Sequence, residues 1–593
     1  MFVSILVSQL LLLAITLHAG LVGSAAATGL WRALPDAAAN FPLRAFFAFA
    51  LGLALQMTLL FVIGVASGLH FSLLIWVGAA TGILALGYLW RVRSIERPDK
   101  ADLLVAAAVY IAVAVNAVRV PGFFDDTLYH LPLARFYAET HGLGLDAWVR
   151  FPLFPQNMEL MFTLAFVLRP ADVVMAQGLA TLPAFVIVLG LFGAARWLRG
   201  SWILGVAAGI AFLALHVVEK TLGYAYIDLG LALFSFAAIL GAVAFGRRAP
   251  VGVCFALGIL GGAAAGCKLH GLVAAALAFL VLAAFRARPA ALIAFAGATA
   301  LFGCGWYLRS YWISGDPISP AGGAWFGYFL WDAGDLAGQK AEQASYIRSA
   351  RLTYLPFALL KAGANLVIPA LLAPLAMRRE RRAVLALWAA FFCYVLTWFY
   401  ASQVDRYLAP VLAIGVLLSG LIVHDALKFM TGRFAPRALE APRSPAWVGA
   451  GVAALLIGYG IGAFNRANGQ LRKWDSILAN RAGYAALQQA NALAPRYGSR
   501  LAQVGFEGST YFFDGTVIGD WFGPGRYRQT VVFGAQNKLI PAAQMRETMA
   551  RFDARLLAVN LNFAGFDAAD YGAQFDIVLE DGKQALLALK PAP

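Results

Sequence analysis

Two carboxylates stand side by side in the segment PGFFDDTLYHLPLARFYAETHGL, at Asp125 and Asp126. They follow an apolar run, and acidic groups at a membrane border are costly to desolvate and often functional. A carboxylate in such a place can take a proton from an incoming hydroxyl. From Asp126 to Thr140 the apolar residues Leu128, Leu131, Leu133, Phe136 and Tyr137 have helical spacing. That spacing predicts a helix lying on the membrane surface, whose dipole favours an ionised acid near its start. The same residues also read as an N-cap and a loop charge with no chemistry.

Other polar groups recur at the ends of apolar runs. In FPLFPQNMELMF, at 151–162, Pro152 and Pro155 break the chain ahead of a short helix, and Gln156 and Glu159 sit beside apolar residues. This reads as a loop and helix start or as a binding element. Tyr224, Tyr226 and Asp228 open another run, and Lys268 and His270 fall in a turn between two more. Arg309 ends a run ahead of GDPISP, and Gln403, Asp405, Arg406 and Tyr407 lie between two others. A single Lys or Arg at a helix end is ordinarily a snorkelling anchor. Together, cations and carboxylates from distant segments can build one anion-holding cavity. That combination suits a lipid phosphate. Cations hold the phosphate and stabilise its charge as it leaves, a carboxylate deprotonates the attacking hydroxyl, and phosphate leaves without a general acid.

The elements that must position these groups are membrane helices. Of 593 residues, 61% are hydrophobic and 13% charged, against roughly 25% charged in soluble domains. A soluble enzyme, a disordered tail protein and a coiled coil are excluded. The net charge of +15 does not indicate nucleic acid, because Lys and Arg gather in short clusters between apolar runs. Hydropathy predicts about fourteen spans, at 2–26, 43–66, 70–90, 102–119, 171–197, 201–217, 225–245, 250–266, 270–285, 289–308, 354–376, 383–400, 406–427 and 446–465. No basic residue precedes the first, which reads as a retained helix rather than a secretory signal.

With those spans, six basic clusters fall on one side: Arg91, Arg93, Arg97 and Lys100; Arg196 and Arg199; Arg247 and Arg248; Arg286 and Arg288; Arg378, Arg379, Arg381 and Arg382; Lys428, Arg433, Arg437 and Arg443. The positive-inside rule makes that side cytoplasmic. The loops 120–170 and 309–353, and everything after about 466, then lie outside, so the chemistry is expected on the extracytoplasmic face; the Ala-, Gly- and Arg-rich composition suggests that the membrane is a bacterial inner membrane. Cys254, Cys267, Cys304 and Cys393 read as small buried apolar residues, with no metal knuckle or disulfide framework.

The tail has ordinary soluble composition. Segments 501–506 and 556–561 read as buried strands, and 541–552 as a helix opened by Pro541. Segments 574–579 and 584–589 alternate around Asp581-Gly582, a hairpin signal. The expected fold is an all-α polytopic membrane protein with a small C-terminal α/β domain. It divides into accessory helices at 1–100, a transmembrane catalytic module at 101–465 and a soluble domain at 466–593.

These residues resemble the GT-C superfamily of integral-membrane glycosyltransferases, in the bacterial branch related to lipid A aminoarabinose transferase and protein O-mannosyltransferases. The pattern D-x-x-x-Y-H-x-P is met by Asp125, Tyr129, His130 and Pro132; a Pro-rich segment with a following Glu by Pro155, Gln156 and Glu159. Tyr226 and Asp228 match the outer Tyr-Asp, Gly261 to Lys268 the small-residue run ending in Lys, Arg309 to Pro320 the Arg before a Gly-x-Pro-x-x-Pro turn, and Arg406, Tyr407, Leu408 and Pro410 the Arg-Tyr-Leu-x-Pro element. The likeness spans roughly 100–430.

It implies transfer of a sugar from a polyprenyl-phosphate donor to a glycan, lipid or protein acceptor, with inversion and Asp125 as general base. Asp126 and Asp228 would position acceptor or sugar; Lys268, Arg309 and Arg406 would hold the phosphate; and Tyr129, His130 and Glu159 would shape the sugar site. Gln156, Tyr226, His270 and Tyr407 complete the expected substrate-binding set. No cofactor is firmly implied and a divalent cation is possible: some members of the family need one and others do not, and the lack of a D-x-D in the first outer loop leans towards no obligatory metal. The chain departs from the family in having four helices rather than one before the acidic pair, and Asp where Glu is common at position 126. Two other classes compete. A transporter or lipid-linked sugar flippase needs polar groups or broken helices near the midplane, in related halves. A scaffold presenting the tail leaves the loop charges without a role.

Overall fold

The computed structural model describes residues 2–31, 33, 40–92, 99–246, 249–375, 380–431 and 446–591. Among them, nine helices are long and apolar enough to cross a membrane: Val3–Ala26, Phe41–Val65, Phe71–Val92, Lys100–Ala117, Val173–Arg199, Asp228–Phe245, Pro289–Ser314, Arg381–Ala401 and Asp405–Phe429. Val173–Arg199 and Asp228–Phe245 are apolar on every face and form the buried centre, as expected of helices enclosed by others. Phe71–Val92 is peripheral and turns Trp76 and Trp90 outward. Helices Phe2–Ala26 and Phe41–Val65 touch backbone to backbone. A Cβ on Gly23 would meet the Ala48 carbonyl oxygen at 1.7 Å, so only glycine fits.

Several expected spans are shorter or broken. The stretch at 354–376 is not one helix: Leu355–Lys361 ends in a turn at Gly363 (φ +70°), and Asn365–Leu375 continues as a 3-10 helix containing Pro369 and Pro374. Proline removes an α-helical donor and its ring clashes with the preceding turn. The 201–217 stretch ends at Leu213 and gives way to a separate short helix, His216–Thr221. The stretches at 250–266 and 270–285 are two helices, Val251–Cys267 and His270–Ala284, joined at Lys268-Leu269. All four cysteines are free; Cys254 and Cys267 are buried, but Cys393 is exposed on the outer surface of its helix.

At one end of the bundle, Arg196 pairs with Asp102 at 2.8 Å and Arg199 with Asp425 at 2.9 Å. Of the other basic-cluster residues, Arg93, Arg97, Arg247, Arg248, Arg378, Arg379, Arg433, Arg437 and Arg443 lie outside the described residues. At another place the loops 120–170 and 309–353 come together with the tail.

The tail carries strands β1 (Arg500–Val504), β2 (Thr516–Ile518), β3 (Val531–Val532), β4 (Lys538–Leu539), β5 (Leu556–Asn560), β6 (Phe575–Glu580) and β7 (Gln584–Leu589). Five form a sheet in the order β2-β1-β5-β7-β6. β1 runs parallel to β2 and β5, whereas β7 is antiparallel to β5 and β6. The β6–β7 connection turns at Gly582 (φ +77°), where a side chain would strain the backbone. The helix Ala542–Phe552 follows Pro541 as expected. The apolar alternation of β1, β5 and β7 divides their side chains between two cores, one on each face of the sheet.

Candidate functional site

The predicted surface helix after the acidic pair is present but irregular. Asp126–His130 forms a π-helical turn, closed by the Leu131 N–H donating to the Asp126 carbonyl, and Leu131–Thr140 continues as an α-helix. Pro132 lacks the N–H that regular winding would use there. Such turns re-aim side chains and are frequent at functional sites.

Here the acidic pair is separated by direction. Asp125 lines a cavity of about 700 Å³, together with Tyr129, His130, Glu159, Tyr226, Lys268, His270, Arg406 and Tyr407. Asp126 is fully buried and does not line it. Its carboxylate takes one long hydrogen bond from the Gly122 N–H at 3.4 Å, and Oδ1 has no partner among the described residues. Burial pushes its pKa up to about 7, against smaller opposing effects from the Gly122 N–H and Arg481.

Asp125 is braced from three sides. Its N–H donates to the Tyr226 hydroxyl at 3.1 Å, the Tyr129 hydroxyl donates to Oδ2 at 2.8 Å, and Arg406 forms an ion pair with Oδ2. Burial opposes its ionisation, but Arg406, His130 and the two side-chain hydrogen bonds outweigh burial and hold the carboxyl below its ordinary range. Burial, followed by the Asp125 charge, pushes the hydroxyls of Tyr129 and Tyr226 far up, so both stay protonated. Tyr226 reaches its place through a turn at Gly223 (φ +89°), where a Cβ would stand 2.0 Å from the Asn116 carbonyl oxygen.

The pairing of cation and carboxylate is repeated beside the Tyr407 ring, whose centre also lies 5.9 Å from the Arg406 guanidinium. Lys268 Nζ donates to Asp228 Oδ1 at 3.0 Å and lies 4.5 Å from the centre of the Tyr407 ring. Asp228 itself stands behind Lys268, off the cavity surface. The His270 ring packs on Tyr407 at 4.4 Å between centroids. Deeper in, His130 Nδ1 is 2.7 Å from Glu159 Oε1 and both side chains are buried. The helix carrying Glu159 is fixed by Asn157, which accepts from Trp306 Nε1 at 2.8 Å and donates to the Ala263 carbonyl.

Besides Asp126 and Asp228, two more expected site residues lie off the cavity surface. Arg309 donates to the carbonyls of Leu143, Gly144 and Pro152 at 3.3, 2.6 and 3.0 Å and does not line the cavity. It clamps the outer loop. Gln156 accepts from the Tyr137 hydroxyl and donates to the Phe151 carbonyl, again off the cavity. Sequence reasoning overlooked several lining cations: Arg150, Lys220, Lys340, Arg348 and Lys361. Lys220 pairs with Asp405. Lys340, Arg348 and Lys361 come from 333–361, where the helix Ala333–Ser345 roofs the cavity. Their only signal was their position in or beside outer loops. Among the described residues no group of three or more metal-ligating side chains is found.

The tail completes the roof. Asp332 and Asp335 cap the roof helix reciprocally, and Arg526 pairs with both. Phe522 stacks on Trp331 at 4.8 Å, and Arg150 is paired with Asp520 inside the protein.

This architecture is the GT-C fold. ArnT from Cupriavidus metallidurans bound to undecaprenyl phosphate superposes with a TM-score of 0.54, at 14% identity, over 82% of this chain and 97% of that one. The apo state of the same protein gives 0.56 at 15% identity over the same shares. Residues 473–588 match the family described as SF2091/S2213. Protein SF2093/S2215 of Shigella flexneri is 38% identical over 143 residues, which is 24% of this chain and 71% of that protein. Protein SF2092/S2214 of the same organism is 42% identical over 137 residues, 23% of this chain and 73% of that protein. The chain belongs to the family of these Shigella proteins.

Proposed function

We propose that this multi-pass membrane protein is a glycosyltransferase. It moves one sugar from a polyprenyl-phosphate donor to a hydroxyl acceptor on the extracytoplasmic side, with inversion. The observation that carries the reading is Asp125, a buried carboxylate held ionised by Arg406 on the wall of a cation-rich cavity. That ArnT, on the same fold, binds undecaprenyl phosphate supports the donor class.

The chemistry follows from the pairing. Arg406 and Lys268 are each attached to a carboxylate. A phosphate entering the cavity competes for both cations through charge-assisted hydrogen bonds. As Arg406 turns to the phosphate, Asp125 loses its main counter-charge while its burial persists. Its pKa rises, and it becomes a better base. The acceptor oxygen then bonds to the anomeric carbon, its proton passes to Asp125, and the sugar–phosphate C–O bond breaks. The lipid phosphate departs with the electron pair, and its charge is held by Arg406 and Lys268. Tyr129 and Tyr226 fix the direction of the base, and His130 and Glu159 form the floor of the sugar pocket.

Mass spectrometry of lipid-linked and envelope glycans tests this in cells with the wild-type chain, with Asp125→Asn and with none. The expected result is loss of one sugar in both the variant and the deletion, with normal amounts of folded variant. Near-full transfer by Asp125→Asn would remove it as the base. An unchanged glycan profile with a lipid-linked precursor held on one leaflet would identify a flippase.

A further inference from the structure

The tail presents an aromatic surface that the proposed reaction centre does not use. Trp521 is 45% exposed and Phe533 46% exposed, although both belong to a domain with two apolar cores of its own. Their rings stack at 5.8 Å with 23° between planes. Phe563 meets Trp521 edge-on at 5.5 Å from beneath. The indole is held in place: Trp521 Nε1 donates to Glu507 Oε1 at 3.0 Å, and the other carboxylate oxygen of Glu507 accepts from the Tyr527 hydroxyl at 2.6 Å. A flat, rigid aromatic face with a carboxylate at its edge matches a sugar ring. Pyranose C–H groups pack on the aromatic face, and the hydroxyls at the ring edge donate to a carboxylate or amide. Rigid aromatics also give contact area at little conformational cost.

The surface is tied to the cavity wall through its neighbours in the chain. Asp520, next in sequence, pairs with Arg150, and Phe522, on the other side, stacks on Trp331; both partners line the cavity. Phe124 also lines it and lies against Gly508, next to Glu507. Trp521 is therefore anchored, through the residues on either side of it, to the cavity that Asp125 lines.

We infer that Trp521, Phe533 and Glu507 form a carbohydrate subsite that holds a sugar of the acceptor, making the acceptor a glycan. This rests on the transferase reading above. The exposed aromatic pair is not a lipid platform in this assignment, because Glu507 puts a carboxylate rather than a cation at its edge.

Saturation-transfer-difference NMR on the full-length protein in nanodiscs tests it. The probe is polysaccharide released by mild acid from the envelope of cells lacking the gene. Wild type is expected to saturate sugar C–H protons. Trp521→Ala should weaken binding about tenfold, the scale of one aromatic contact, and raise the acceptor KM with kcat little changed. Trp521→Phe, which keeps a ring, should recover most of the loss, and a normal thermal midpoint for both variants excludes misfolding. Asp125→Asn should bind the polysaccharide like wild type while transferring nothing. Absence of wild-type binding, or binding by Trp521→Ala equal to wild type, would overturn the subsite and leave the transferase reading intact. Loss of binding in Trp521→Ala together with full transfer by Asp125→Asn would retain the subsite and sink the mechanism.

Discussion

The junction between the first outer loop and the tail includes an enclosed ion pair, and its removal should be costly. Arg150 and Asp520 are 7% and 6% exposed, and Arg150 Nε donates to Asp520 Oδ2 at 2.9 Å. The guanidinium lies between two rings, 5.6 Å from the centre of Phe124 and 5.3 Å from that of Phe522. Asp520→Ala leaves a cation in that enclosure with no counter-charge. Breaking a buried pair from one side costs about 3–5 kcal/mol. The open form of this junction should then rise between about a hundredfold and a few thousandfold. Other contacts, such as the pairing of Arg526 with Asp332 and Asp335, keep the tail attached, so the opening is local. Hydrogen exchange of the full-length protein in nanodiscs reads it directly in peptides covering 146–155 and 516–530. Replacing both partners, as Arg150→Met with Asp520→Leu, removes the stranded charge and should return exchange most of the way to wild type. Unchanged exchange in Asp520→Ala would refute the argument, as would a double variant no slower than the single one.

Three other outcomes follow from the site. Asp126 has its pKa raised by burial to about 7, so its folded form holds the proton more tightly than the unfolded one. Stability from this group is complete below the ordinary carboxylate range, falls as pH rises towards about 7 and is flat above. Asp126→Asn should therefore stabilise the protein at pH 8 and leave it unchanged near pH 4, read as thermal midpoints; a gain at pH 4 only would contradict this. Arg406→Gln leaves burial of Asp125 unopposed by its main counter-charge, so the acid limb of the kcat/KM profile should move to higher pH; a limb that stays put means another group controls ionisation. Arg309→Met removes three carbonyl contacts, and exchange in peptides covering 141–153 should rise while affinity for undecaprenyl phosphate is kept. Loss of that affinity alone would return Arg309 to the phosphate site.

Sequence patterns revealed elements whose local chemistry was complete in one segment. The hairpin around Asp581-Gly582 is an example: alternation and turn residues lie together, and β6 and β7 pair as expected. So is the placing of Asp125, Tyr129 and His130, which one helical turn brings to one wall. The misses came from contacts distant in sequence. A Lys or Arg after an apolar run looks the same whether it snorkels, clamps a loop or lines a cavity. Arg309 and Lys268 carry equal signals, and only their partners distinguish them: three carbonyls for one, a carboxylate and an aromatic face for the other. Likewise, adjacency in sequence suggested that Asp125 and Asp126 share a task. The π-turn that begins at Asp126 sends them to different environments, and the missing N–H of Pro132 was visible but its geometric consequence was not.

The pairing of charges in the cavity also explains how so many can stand at the edge of a membrane. An isolated charge there carries a large desolvation cost. Arg406 with Asp125, Lys268 with Asp228 and Lys220 with Asp405 each replace water for one another, so these walls are close to neutral at rest. The roof is different. Among the described residues Lys340, Arg348 and Lys361 line the same cavity without an ion-pair partner and are exposed, where solvation is cheap. On the proposed reading the roof supplies the long-range attraction for an anionic headgroup, and the paired walls supply the selectivity. A ligand must offer enough negative charge to displace a carboxylate from its cation. A neutral sugar cannot do so, whereas a phosphate can, and its arrival is the event that releases Asp125. Base activation and donor binding are then one exchange of partners, and acceptor deprotonation is confined to cavities already holding a donor.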